Sequence, residues 1–187
     1  MKKTLKILVL FLVTISYSGL SQDKIDTLIF NKDEQLQLTM FVNKMDSLLM
    51  CKYDLHNPYE ALKKYIKESD EGSGLICIPE LFEISKTLSV FDEFYFIDKN
   101  KGMIIQKNKK YYKYLKHISE ESVYFKYYYD ELSGVNDITP LISHSMWRNI
   151  EKLDLTNINY RLLIGFHYLY LCNRYVHSSP SGTQTRN

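Results

Sequence analysis

The sequence has few of the residues from which common catalytic and binding motifs are built. Only 7 glycines and 3 cysteines occur among 187 residues, with no glycine-rich phosphate loop, no CxxC or CxxCH pair and no GxSxG motif. A helical pair of metal ligands is also missing, because no HExxH motif is present and the five histidines are scattered: His56, His117, His144, His167 and His177. The sequence therefore predicts no metal site and no cofactor.

What the sequence does contain is a start typical of exported proteins. Three lysines lie within the first six residues, an apolar run covers 7–15, and the small residues Gly19 and Ser21 follow. This order predicts a signal peptide over 1–21, cleaved after Ser21, and a periplasmic or secreted protein. The apolar run is shorter than the roughly 20 residues of a membrane span, so we expect no span after cleavage.

The charge of the chain argues against a nucleic-acid partner. Without the three lysines of the leader segment, 21 basic residues remain against 22 acidic ones. The densest basic stretch, 107–113, stands nearly alone and matches no nucleic-acid fold signature. We therefore expect the partner to be a protein or a cell-envelope component.

The length and composition predict one domain over 22–177 and a disordered tail over 178–187. About 166 residues can bury most of their apolar surface in a single core. The tail is built from Ser, Pro, Gly, Thr and other polar residues, which cannot offset the entropy of ordering with buried apolar area.

Proline positions and apolar periodicity predict a mainly α fold with about seven helices. Pro58, Pro79 and Pro140 each stand where a helix would begin, the position at which proline is favoured. After Pro79 the apolar residues recur at spacings of 3 and 4, which predicts one continuous helical stripe: Leu81, Ile84, Leu88, Phe91 and Tyr95. Glu120 and Glu121 are predicted in the first turn of a later helix.

Two further segments stand out in the periodicity. Apolar runs on both sides of the DKNKG sequence predict a β-hairpin over about 94–106. The segment 157–177 predicts a central helix because it is apolar on most sides. Gly165 in its middle suggests a close helix crossing, and His167 among apolar neighbours is expected to be a hydrogen-bonded core residue.

Three cysteines in an exported chain allow one disulfide and one free thiol, with three possible pairings. We favour Cys51 with Cys77, which would close a loop of about 26 residues and contribute about 3 kcal/mol in the chain-entropy model. Three buried thiols are the alternative, because free cysteine packs well in apolar surroundings.

The helix that begins after Thr139 carries the most suggestive surface. With steps of 100° per residue, four apolar residues face the core: Ile142, Met146, Ile150 and Leu153. Four others fall between about 140° and 240° from that line and form a candidate interface: Trp147, His144, Arg148 and Glu151. Tryptophan and arginine commonly anchor protein interfaces. The plainer alternative is that Trp147 covers the rim of the core.

The sequence as a whole predicts an exported helical protein that acts by binding. An inhibitor, an immunity-type protein or an accessory protein would need no catalytic motif. The alternative is a cell-wall-directed hydrolase with a single catalytic carboxylic acid. Sixteen tyrosines are expected to serve both the core and the surface, because tyrosine combines an apolar ring with a polar end.

Overall fold

The computed structural model describes residues 24–70, 75–135 and 137–178, and the predicted signal peptide (1–21) lies outside them, as do residues 179–187 of the predicted tail. The mainly α fold with one hairpin is confirmed. The described residues form seven helices, two 3₁₀ turns and two strands: α1 (Lys32–Tyr53), α2 (Pro58–Asp70), α3 (Pro79–Thr87), a turn (Ser89–Glu93), β1 (Tyr95–Asp98), β2 (Gly102–Ile105), α4 (Lys110–Glu121), α5 (Val123–Val135), α6 (Pro140–Asn149), a turn (Ile150–Lys152) and α7 (Ile158–Ser178).

Side-chain caps explain where several helices begin. At α1, Asn31 Oδ1 accepts from the backbone N of Glu34 at 3.0 Å, and Glu34 Oε2 accepts from the N of Asn31 at 2.9 Å. Asn57 Oδ1 accepts from the N of Tyr59 at 2.8 Å at the start of α2. Thr139 caps α6 in the same way, because its Oγ1 accepts from the N of Ile142. Each cap satisfies a backbone donor that the first helical turn leaves free.

The predicted continuous helix after Pro79 is wrong, because α3 ends at Thr87. Leu88 is extended, and a 3₁₀ turn follows before β1. The side chain of Gln37 on α1 fixes this turn, because its Oε1 accepts from the N of Val90 at 3.1 Å. Phe91 and Phe94 remain buried in the core. The apolar spacing therefore identified buried residues correctly, but the backbone leaves the helix after Thr87 to form the Gln37–Val90 hydrogen bond and the hairpin.

The hairpin is antiparallel, and its register runs from Tyr95 opposite Ile105 to Asp98 opposite Gly102. Asp98 Oδ1 accepts from the backbone N of Asn100 and of Lys101, at 2.8 and 2.9 Å, and so closes the loop. Gly102 has a φ of 71°, a conformation that favours glycine at the end of a three-residue loop. The prediction for 94–106 is thus confirmed.

The predicted Cys51–Cys77 disulfide is wrong. Cys77 is bonded to Cys172 on α7, with 5.5 Å between their Cα atoms, whereas Cys51 is free and exposed on α1. The segment before α3 is also held against α2, because Tyr65 Oη donates to the carbonyl of Ile76 at 2.8 Å. The two cysteines are 95 positions apart in the sequence. The prediction favoured the pair that closes a short loop and therefore missed this bond.

The long helix α7 lies in the core and packs against α1, α3 and β2. Residues 161–170 are all buried, as the sequence predicted for a helix with little polar face. The close crossing at Gly165 is also confirmed: a Cβ there would lie 2.7 Å from Met45 Sδ and 3.1 Å from Phe41 on α1. None of the described helices is both long and apolar enough to cross a membrane.

Gly165→Ala should destabilise the protein, although alanine is the better helix former by about 1 kcal/mol. The added methyl group would overlap Met45, and overpacking of a dense core typically costs about 1–3 kcal/mol. Gly134→Ala in α5 is the matched control, since no atom lies within 4 Å of its Cβ position; it should raise stability by about 0.5–1 kcal/mol. Urea unfolding of both variants checks this, and equal stability of the two would contradict the close crossing.

Candidate functional site

Helix α6 has the orientation that its sequence predicts. Its inner residues Ile142 and Met146 are buried, as expected from steps of 100° per residue. Ile150 and Leu153 are buried too, although the α-helix ends at Asn149 and they belong to the 3₁₀ turn that follows and its C-cap. On the outer side His144 and Arg148 of the helix and Glu151 of the turn are exposed, and Trp147 is half-buried against the core. Trp147 therefore contacts both the interior and the surface.

The rings of His144 and Trp147 are stacked, with 5.8 Å between their centroids and 28° between their planes. Leu141, one turn before His144, is 55% exposed. The sequence interpretation did not include Leu141 in the candidate interface. We call Leu141, His144, Trp147 and Arg148 the α6 patch. It combines exposed apolar surface, a stacked ring pair and a cation.

Charged residues of α2 border the α6 patch on one side. His144 Nδ1 lies 3.6 Å from Asp70 Oδ2, and Glu151 Oε2 accepts a hydrogen bond from Lys63 Nζ at 2.8 Å. The hydrogen bond from Lys63 to Glu151 raises the pKa of Lys63. Glu151, predicted as part of the interface, is thus already engaged. Arg148 has no carboxylate within 4.0 Å in the part of the chain that the structure describes.

Behind the patch, a chain of hydrogen bonds runs from α6 into the core. Ser143 Oγ lies 3.2 Å from His167 Nε2, and His167 Nδ1 lies 3.1 Å from Tyr128 Oη on α5. Tyr111 Oη on α4 donates to Tyr128 Oη at 3.4 Å. The expectation that His167 is a hydrogen-bonded core residue is confirmed. The histidine that contacts Ser143 is thus not the adjacent His144 but His167, which lies 24 positions later in the sequence.

The hydrogen-bond chain contains a serine next to a histidine, Ser143 and His167, but the electrostatic environment of this histidine is not that of a catalytic base. Burial lowers the pKa of His167 to about 3, so the ring is neutral at physiological pH and a weak base. The group on its other nitrogen is a tyrosine hydroxyl rather than a carboxylate that would stabilise an imidazolium. The arrangement fixes the helices α4, α5, α6 and α7 relative to one another.

The buried neutral His167 should make stability depend on pH. The unfolded chain binds a proton on His167 below about pH 6.5 and the folded chain only near pH 3, so this residue lowers stability as the pH falls. Each pH unit in that window costs up to about 1.4 kcal/mol. His167→Gln removes the titration, and its stability deficit relative to the wild type, about 1–3 kcal/mol at pH 7, should shrink at pH 5.

Urea unfolding at several pH values between 7 and 4.5 measures this difference. Taking the difference between variant and wild type cancels the contributions of other groups, such as Asp46. His56→Gln is the control, because His56 is exposed; its difference from the wild type should not follow the His167 pattern. A deficit of His167→Gln that stays constant with pH would contradict the neutral buried ring.

Among the described carboxyl groups, Asp46 has a raised pKa, the property that a catalytic acid needs. Burial raises the pKa of Asp46 to about 6, with Arg161 opposing the shift. Asp46 Oδ2 lies 3.3 Å from Arg161 Nε inside the core, and Arg161 Nη1 donates to the carbonyls of Leu155 and Thr156. This pair joins α1 to α7 and has no open approach for a substrate.

Glu120 and Glu121 were predicted in the first turn of a helix, but they are the last two residues of α4 and are exposed. The next helix instead begins at Val123, where the carbonyl of Ser122 accepts from the backbone N of Lys126 at 2.8 Å. The apolar pattern of α4 and α5 is nearly continuous, so the boundary was placed a few residues early. Neither glutamate is among the residues that line the cavity beside the Cys77–Cys172 disulfide.

Within the described ranges, no group of three or more His, Cys, Asp or Glu side chains is placed to hold a metal ion. The α6 patch combines exposure, aromatic surface and the charge of Arg148, which has no carboxylate partner among the described residues. Comparison of the chain with protein families, with curated proteins and with solved structures gives no match.

Proposed function

We propose that the protein is exported and acts by binding a protein or a cell-envelope component through the α6 patch. The observation that carries this proposal is the exposed Arg148 beside the stacked rings of His144 and Trp147. The predicted signal peptide over 1–21 supports a site of action in the periplasm or outside the cell. An inhibitor, an immunity-type protein or an accessory protein would use such a surface without any chemistry of its own.

The arrangement of the patch resembles the centre and rim of a protein interface. Tryptophan and arginine are enriched among the residues that contribute most binding energy. The half-buried Trp147 is already held by the core and by His144, so little side-chain entropy remains to be lost on binding. The Lys63–Glu151 and His144–Asp70 contacts supply charged groups at one edge, where interfaces are polar.

The charge of Arg148, which no carboxylate of the described residues neutralises, indicates what the partner should present. A guanidinium group binds carboxylates through two parallel hydrogen bonds. The exposed apolar surface of Leu141 and Trp147 beside it would be buried against an apolar group of the partner. A partner surface with a carboxylate beside an apolar side chain would complement the patch. A protein supplies that combination directly, and so does an envelope component that carries both groups.

The proposal is tested by quantitative capture with variants. Tagged residues 22–187 would be incubated with envelope extract from the source cells, and retained proteins would be quantified by mass spectrometry. Arg148→Glu and Trp147→Ala should each reduce a specifically retained partner at least tenfold, as expected for residues that contribute about 2 kcal/mol or more. Leu36→Ala is the control, because Leu36 is 62% exposed on α1, away from the patch.

Arg148→Glu distinguishes lost binding from lost folding, because Arg148 is exposed and supports no core contact. The affinity of the purified partner would then be measured by calorimetry for the wild type and each variant. Unchanged affinity of Arg148→Glu and Trp147→Ala contradicts the proposal. Capture of no specific partner also counts against it and favours assays for hydrolysis of cell-wall fragments.

A further inference from the structure

A cavity of about 180 Å³ lies between α2, α3 and α7. It is partly enclosed, and its lining is mainly apolar. The disulfide between Cys77 and Cys172 forms part of its wall, together with side chains from all three helices: Tyr65, Leu81, Phe82, Tyr168 and Leu169. The cavity is therefore covalently braced, because the disulfide fixes α7 against the segment that leads into α3.

The size and lining of the cavity suit a single aromatic ring. An apolar cavity of about 150 Å³ in another protein stays dry and binds benzene. Here the rings of Tyr65 and Tyr168 meet edge to face, with 5.0 Å between their centroids, and Phe82 adds a third ring. Aromatic rings favour edge-to-face or offset contacts with one another, so an aromatic ligand gains more here than an aliphatic one of equal volume.

Two residues of the lining carry polar groups. Asn173 is nearly fully buried, and its Oδ1 accepts from the backbone N of Met103 at 2.5 Å. This bond leaves the amide nitrogen, with its two N–H donors, as the group that Asn173 can offer to a ligand. The buried hydroxyl of Tyr168 has no hydrogen-bond partner among the described residues. Because both residues belong to the lining, they are the candidate donors to a ligand oxygen.

The charges near the cavity disfavour an anionic ligand. Glu83 contributes to the lining. Lys86 donates to Glu83 Oε1 at 2.8 Å, and its ammonium lies 4.1 Å from the ring centroid of Phe82. Lys86 is thus already paired with the carboxylate of Glu83 and the ring of Phe82. The lining residues include no lysine or arginine that would compensate the carboxylate of a ligand.

We propose that this cavity binds an uncharged, single-ring aromatic compound with one hydrogen-bond acceptor oxygen. The ring fills the space between Tyr65, Phe82 and Leu81, and the oxygen accepts from Tyr168 or Asn173. The proposal does not depend on the α6 patch, because no patch residue contributes to the cavity lining. It adds a small-molecule site to a protein whose proposed function is to bind a macromolecule.

Three probes of similar size test the proposal by nuclear magnetic resonance titration of the ¹⁵N-labelled protein. Acetophenone has a ring and an acceptor oxygen, toluene has the ring alone, and benzoate has a ring and a negative charge. Acetophenone should shift the backbone amides of Leu81, Leu169 and Asn173, with at least threefold higher affinity than toluene. Benzoate at pH 7 should bind at least tenfold more weakly than acetophenone.

Variants then assign the interactions within the cavity. Tyr168→Phe removes a hydroxyl that has no partner among the described residues, and Asn173→Asp keeps the oxygen that accepts from Met103. At least one of them should abolish the preference for acetophenone over toluene. Phe82→Ala, at a half-buried position, should weaken both probes at least fivefold. Arg148→Ala, in the α6 patch, is the control and should leave acetophenone binding unchanged.

Several outcomes would overturn the proposal. The cavity is not a ligand site if acetophenone causes no shifts up to its solubility limit, or if the shifts are spread over the surface. The assigned hydrogen bond to the ligand oxygen is wrong if toluene and acetophenone bind the wild type equally, or if both polar variants keep the preference.

Loss of partner capture by Arg148→Glu with intact acetophenone binding would show that the two sites are separate.

Discussion

The rest of the structure depends on burying α7 on all sides. Ten consecutive residues of this helix are buried, so other elements must cover every face of that stretch. One of these contacts is the close crossing of Gly165 with Met45 on α1. Without a side chain at 165 the two helices approach closely, and the large apolar side chains on both sides of the crossing, including Phe41 and Phe166, can pack in one core.

The burial of α7 over 161–170 and at Asn173 also determines where its polar residues must find partners. Arg161 pairs with Asp46 on α1, His167 bonds to Ser143 on α6 and Tyr128 on α5, and Asn173 bonds to Met103 on β2. A buried polar group without such a partner costs free energy. Each contact is therefore satisfied in one rotation of α7 only. The apolar contacts supply the burial, and these polar contacts select one arrangement of the helices.

Local signals in the sequence predicted the elements that local physics determines. The proline positions located three helix starts, and steps of 100° correctly placed Ile142 and Met146 in the core and His144 and Arg148 outside it. Two of the predictions that failed depended on contacts between distant segments. The carbonyl that Gln37 offers to Val90 and the pairing of Cys77 with Cys172 join residues 53 and 95 positions apart. The helix start predicted at Glu120 and Glu121 failed for a local reason, because the apolar pattern continues from α4 into α5.

The core determines the orientation of the α6 patch. Ser143 faces inward because its hydroxyl bonds to His167, and the residues next to it in the sequence are turned by about 100° to either side. His144 is therefore directed outward, where it stacks on Trp147 and lies 3.6 Å from Asp70. A rotation of α6 large enough to bury His144 would break the contact between Ser143 and the imidazole of His167. Because His167 is fully buried, solvent could not take the place of Ser143. The neutral His167 in the core thus keeps the proposed binding surface facing solvent, although it takes no part in binding itself.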